Sequence, residues 1–261
     1  VQTRLVRAAK DRHVDPNLIF SRYAAERLLY RLAQSRHAER FVLKGAMMLI
    51  VWLGDIIRPT RDVDLLGFGD LSDEAILDLV KEIVTTDVEP DGVVFETASI
   101  TVTRIREEDA YGGRRVMLAG HLGSARLRVQ IDIGIGDAVF PDPEWIEYPS
   151  LLDLPRPKLK AYRPETAIAE KLHAMVTLGS KNSRMRDFFD IPNETLALTR
   201  EFAELGGKRE QWSGFLRKNG LPQEAFGLAI DEVASFLVPV ISTIAASGTF
   251  SKVWVPGGPW S

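Results

Sequence analysis

Apolar residues recur along this chain with two different periods. Leu18, Tyr23, Leu28 and Leu32 follow helical spacing, while Arg22, Arg27, Arg31 and Arg36 fall mostly elsewhere on the helix surface. The spacing predicts a helix over 16–36, opened by Asp15 as N-cap with Pro16 at the first helical position, behind a first helix over 3–12. Phe41–Leu43 reads as a short strand, Ala46–Leu53 as a buried helix and Val63–Leu66 as a second strand. Ser72 caps a helix running to about Thr85. The period then changes to two. In Leu127-Arg128-Val129-Gln130-Ile131-Asp132-Ile133 the apolar residues hold the odd positions, and Asp132 shares the other face with Arg128 and Gln130. Strands are expected over Arg115–Ala119 and Leu127–Ile135, with turns at Gly112-Gly113 and at Gly123.

Prolines 141, 143, 149, 155, 157 and 164 make residues 141–164 read as an irregular connection. It closes a first domain over 1–150. The second domain, 151–261, predicts helices over 165–178, 193–204, 208–218 and 223–247, the last bent at Pro239.

Composition narrows the chemistry. The 261 residues include no cysteine, which excludes disulfides, thiolate zinc sites and cysteine nucleophiles. With only four scattered histidines, any metal is expected to be hard and oxygen-bound, such as Mg2+ or Mn2+. The apolar runs Met47–Leu53 and Phe236–Ala246 are too short to span a bilayer. No membrane association and a cytoplasmic location are therefore expected. Net charge is −3 but uneven: residues 1–61 carry 12 Lys and Arg against 5 Asp and Glu. That basic lobe could follow a polyanion or an acidic partner, or could consist of solvated arginine faces.

The segment Phe41–Leu66 concentrates the candidate chemistry. A short apolar stretch feeds the turn Lys44-Gly45-Ala46, as a strand does on entering a helix, and a helix start offers N–H groups to phosphate. Asp62 and Asp64 then stand at i and i+2 of a strand, on one face, with Cα atoms roughly 6.5 Å apart. Both can reach one or two divalent cations. An Asp-x-Asp tripeptide alone would equally describe a polar strand end meeting nearby arginines, here Arg58 and Arg61. Asp132, on a separate strand and off the core face, would make a third carboxylate. Three converging carboxylates are costly without a cation. Lys171 lies mid-helix and is either a surface lysine or a point charge for a triphosphate. Asp187 and Asp190 are spaced to share one side of a helix turn.

These motifs occur together, in order, in one known family. Lys44-Gly45-Ala46, Arg58-Pro59-Thr60-Arg61-Asp62-Val63-Asp64-Leu65, Val129-Gln130-Ile131-Asp132-Ile133, Ala169-Glu170-Lys171-Leu172-His173-Ala174 and Arg186-Asp187-Phe188-Phe189-Asp190-Ile191 resemble the AbiEii/AbiGii toxins. Those proteins belong to the polymerase-β-like nucleotidyltransferases. The resemblance implies an α+β fold: a nucleotidyltransferase-type mixed β-sheet core flanked by helices, with a C-terminal helical bundle. It implies Mg2+-dependent transfer of a nucleoside monophosphate from an NTP, and a separate antitoxin protein as partner. Some relatives modify the 3′ acceptor end of tRNA. Carried across, Asp62 and Asp64 match the metal pair, and Lys44, Gly45 and Ala46 the nucleotide-binding turn. Lys171 matches the triphosphate lysine, and Asp187 the acidic residue of the last motif. Asp132 as a third metal ligand follows from general nucleotidyltransferase logic. Ala46 and Pro192 depart from the family pattern, the first lacking a hydroxyl for phosphate.

The expectation is thus a toxin that transfers NMP to an acceptor hydroxyl, with an RNA 3′-OH reached over the basic N-terminal helices or the Arg156–Arg163 segment. Two alternatives stand beside it: transfer to a small molecule or protein hydroxyl, and a non-catalytic module that binds an antitoxin.

Overall fold

The computed structural model describes residues 1–54, 60, 62–105, 112–137, 139–178, 204, 207–245, 249–252 and 260. The chain divides into two compact units, Val1–Thr166 and Ala167–Ser261.

The first unit opens with helices α1 (Gln2–Asp11) and α2 (Pro16–Gln34). Asp15 caps α2 as predicted, accepting from the Asn17 N–H at 2.9 Å. Strand β1 (Phe41–Lys44) runs through a 3-10 turn (Gly45–Met47) into helix α3 (Met48–Leu53). Strand β2 (Asp62–Gly67) and helix α4 (Asp73–Val84) follow, with the Ser72 hydroxyl capping α4. The remaining strands are β3 (Val93–Phe95), β4 (Thr101–Ile105), β5 (Gly113–Leu122), β6 (Ala125–Ile135), β7 (Glu144–Glu147) and β8 (Lys158–Ala161).

All eight join one mixed sheet in the order β3-β5-β6-β2-β1-β8-β7, with β4 on the first half of β5. The pairs β2–β6 and β1–β8 are parallel and the others antiparallel. The alternation in β6 decides which face is core. Leu127, Val129, Ile131 and Ile133 join Val63 and Leu65 of β2 against Leu28, Leu29 and Leu32 of α2 and Ile76, Leu79, Val80 and Ile83 of α4. Each such side chain contributes about 1.5–3 kcal/mol on burial, which holds the two helices on that face. The even residues of β6 and β2 are left on the opposite face.

Two expectations change. Arg27 and Arg31 are inside the protein. Arg31 grips Asp91 with both terminal nitrogens, at 2.6 and 3.1 Å. Arg27 donates to Glu26 at 2.7 Å and to the Pro155 carbonyl at 2.8 Å. Burial of a charge is tolerated when partners within the protein replace water, and here they do so in part, since the buried Arg27 Nε–H meets no acceptor among the described residues. Glu26 in turn accepts from the Ser150 hydroxyl at 2.6 Å and the Leu151 N–H at 2.8 Å.

Residues 141–164 are also more regular than expected, because the prolines frame two strands without entering them. Pro143 precedes β7, Pro149, Pro155 and Pro157 lie between β7 and β8, and Pro164 follows. Proline at these points removes no ladder hydrogen bond. In β8, Leu159 and Ala161 are buried, whereas Lys158 is exposed and Lys160 half-buried. Because β8 pairs with β1, residues 151–166 belong to the first unit.

Helix α5 (Pro164–Leu178) begins at Pro164, one residue before the predicted start. In the second unit, helices α6 (Lys208–Lys218) and α7 (Phe226–Ala245) share an apolar cluster of Trp212, Leu216, Phe226, Ile230 and Val233. Trp212 stacks on Phe226 with ring centroids 5.0 Å apart, and its indole N–H donates to the Glu224 carbonyl. The predicted helix over 193–204 and the stop at Gly179 lie outside the described residues. Among the described residues, no helix is long and apolar enough to cross a membrane.

Candidate active site

Strand β2 alternates as its sequence requires. Val63 and Leu65 enter the core, and Asp62 and Asp64 stand half-buried on the opposite face. Register then builds a row of charges across four strands. Lys44 of β1 is opposite Asp64 of β2, Asp64 is beside Asp132 of β6, and Asp132 is opposite Arg115 of β5. With strands about 4.8 Å apart, the row spans about 14 Å.

The turn after β1 brings main chain against this row. Gly45 has φ +74, a conformation that glycine adopts without strain. A Cβ at this position would lie 2.0 Å from Oδ2 of Asp64 and 2.6 Å from its Cγ. Only a residue without a side chain lets the turn sit directly on the Asp64 carboxylate. Lys44, the residue before it, places its ammonium 2.7 Å from Oδ2 of Asp137 and 5.6 Å from the centre of the Tyr162 ring. Gly134 makes room for that pair, since a Cβ there would come within 3.0 Å of Asp137 and 3.2 Å of Lys44. Ala46, the last residue of the turn, is buried.

At the other end of the row Arg115 holds Asp132 with a two-pronged contact. Nε donates to Oδ1 at 2.8 Å and an Nη to Oδ2 at 2.7 Å. The Gln130 amide donates to both oxygens at 3.2 and 3.1 Å. The bond to Asp132 raises the Arg115 pKa above its ordinary value, and the fields of Asp132, Asp62 and Asp64 act the same way against partial desolvation. The donor type of Asp62, Asp64 and Asp132 suits a hard, oxygen-seeking cation. Among the described residues, however, no group of three or more His, Asp or Glu side chains is gathered to hold one. Asp132 stands beside Asp64 as expected, but its carboxylate closes on Arg115.

A family model described as the nucleotidyl transferase AbiEii toxin of a type IV toxin–antitoxin system matches residues 27–192. The chain belongs to this AbiEii family. It is a nucleotidyltransferase, as the motif order implied, and its family is one of toxins paired with an antitoxin. Two solved Helicobacter pylori structures are similar to it at low identity. JHP933 is 14% identical, with 85% of this chain and 94% of that one covered and a TM-score of 0.45. The other, described as a candidate nucleotidyltransferase, is 12% identical, with 86% and 95% covered and a TM-score of 0.45. Comparison with curated protein sequences gave no match.

Of the residues expected to act in this AbiEii chain, Lys44, Gly45, Ala46, Asp62, Asp64 and Asp132 lie together in the first unit. Lys171 is half-buried on α5, in the second unit. Asp187, Asp190, Pro192, Arg58 and Arg61 lie outside the described residues. Arg115 and Asp137 were missed. The signal for Arg115 was available. Gly123 and Ser124 form a two-residue turn with Gly123 at φ +59, so the paired residue numbers across β5 and β6 sum to 247 and Asp132 must face Arg115.

Proposed function

We propose that the chain moves a nucleoside monophosphate from an NTP to the 3′-hydroxyl of an RNA, a tRNA above all, as the toxin of its toxin–antitoxin pair. The row Lys44–Asp64–Asp132–Arg115, with Gly45 closed on Asp64, is the observation that carries this reading. Asp62 and Asp64 would hold a divalent cation, Mg2+ or Mn2+, with Asp132 as a third ligand. Such an ion, when bound, polarises the α-phosphate and neutralises the charge that develops during transfer. The Lys44–Ala46 turn would seat the phosphates, with Gly45 keeping the main chain close to the carboxylates. Lys171 would add a point charge on the triphosphate, and Asp187 is the acid of the last motif. The contribution of these residues is positioning and charge neutralisation. NTP and RNA pools of this kind point to the cytoplasm as the place of action.

Exposed cations that could meet an RNA acceptor include Arg4, Arg7 and Lys10 of α1, Arg12 just after it, and Arg156, Lys158 and Arg163 around β8. Arg27 and Arg31 are not among them, being buried in ion pairs. That loss of basic surface favours one second reading, transfer to a small-molecule hydroxyl. Incubation with each labelled NTP and separate pools of tRNA, protein and aminoglycoside distinguishes the two. The expected product is a labelled tRNA-sized band, lost in Asp62→Ala. Label transfer by Asp62→Ala at the wild-type rate would remove the carboxylate assignment.

A further inference from the structure

We propose that Arg115 is a built-in counter-ion that keeps Asp132 from the cation site until nucleotide arrives, so that cation and NTP bind cooperatively. The proposal rests on the reading of Asp62 and Asp64 as cation ligands and adds a positioning residue to it.

The argument begins with register. Asp64 and Asp132 are neighbours on parallel strands, with Asp62 one step further along the same face. Carboxylates this close repel one another, and the ionised set needs a cation nearby. Arg115 supplies one from the adjoining strand, engaging both oxygens of Asp132. Gln130 donates to the same two oxygens, so both oxygens of the carboxylate already have donors. A divalent ion reaching for Asp132 must therefore displace the guanidinium.

The pair is built to be displaced. The Arg115 side chain is 42% exposed and Asp132 19%, whereas Arg31 and Asp91 in the helix-side core are 8% and 3%. A partly exposed ion pair is weak and exchanges readily with solvent or another charge. The planar fork that fits a carboxylate also fits two phosphate oxygens. A triphosphate arriving over this face would offer Arg115 an alternative partner and free Asp132 for the cation. Each ligand then favours the other, and linkage makes the effect reciprocal.

The test measures binding and needs no turnover. Free Mn2+ is followed by electron paramagnetic resonance during titration of the full chain, with and without a non-hydrolysable NTP analogue. In the wild type, the analogue should tighten Mn2+ binding by about tenfold. In Arg115→Met, Mn2+ should bind more tightly without nucleotide, and the analogue should add little. Adding Asp132→Asn to Arg115→Met should cancel that gain, which a merely structural role for Arg115 would not predict. Arg115→Gln provides a second variant should the methionine form fail to fold. Wild-type Mn2+ affinity and wild-type coupling in the Arg115 variants would overturn the counter-ion role alone. Mn2+ binding that is unchanged in Asp62→Ala would overturn the underlying reading of the carboxylates and the proposal with it.

Discussion

Arginine meets carboxylate on both sides of the sheet, at nearly the same distance and with opposite consequences. On the helix side, Arg31 holds Asp91 at 2.6 Å and Arg27 holds Glu26 at 2.7 Å. On the open face, Arg115 holds Asp132 at 2.7 Å. Distance does not separate them; burial and third partners do. Glu26 also takes the Ser150 hydroxyl and the Leu151 N–H, and Asp91 takes the Val93 N–H. Tyr23 donates to the Asp91 carbonyl at 2.7 Å. These buried pairs fasten the β7–β8 connection and the approach to β3 onto α2. Without water, neither charge has another place to go. The Arg115–Asp132 pair is partly exposed, with Gln130 as its further hydrogen-bond donor among the described residues, so it can change partners.

The comparison breaks first at Glu26. Glu26→Ala leaves Arg27 buried and uncompensated, and should cost about 3–5 kcal/mol in a denaturant melt. A loss under about 1 kcal/mol would show that the helix-side pairs are as exchangeable as the open-face one. Next is Gly45→Ala, which probes the open face through its backbone. Forcing a Cβ into the left-handed region costs about 1–2 kcal/mol, and the Asp64 carboxylate must also move. Transfer activity should fall much further than stability, and a variant with full activity would show that the close approach at Gly45 does not matter. The smallest effect is expected from Arg115→Met, within about 1 kcal/mol of the wild type in the same melt. A loss as large as that of Glu26→Ala would place the open-face pair with the structural ones.

Much of the fold could be read from local pattern. The bounds of α2, α4 and β6 came within a few residues of those predicted, because caps and periodicity belong to single segments. The placement of Asp62 and Asp64 together on the non-core face followed from the two-residue period of a strand. The family resemblance drew on five short motifs in order, and the family model spans the same stretch. The two strands among the prolines escaped notice because proline density suggested irregularity, while four-residue strands carry little periodic signal of their own. Arg27 and Arg31 were misread because helical spacing reports which side of a helix a residue occupies. It does not report how many sides are covered.

From its sequence alone, this protein had its helix starts, its strand faces, the β5–β6 hairpin and the acidic pair of β2, since each depends on backbone geometry repeated over neighbouring residues. Tertiary structure alone decided which charges are buried and what they meet. Arg31 finds Asp91 60 positions away, and Glu26 finds the Leu151 N–H 125 positions away. It also decided that β1 lies between β2 and β8 and that β2 lies beside β6, which brings Lys44, Asp64 and Asp132 into one row. Contacts between segments that distant are selected by the packing of the whole sheet, and no local repeat encodes them.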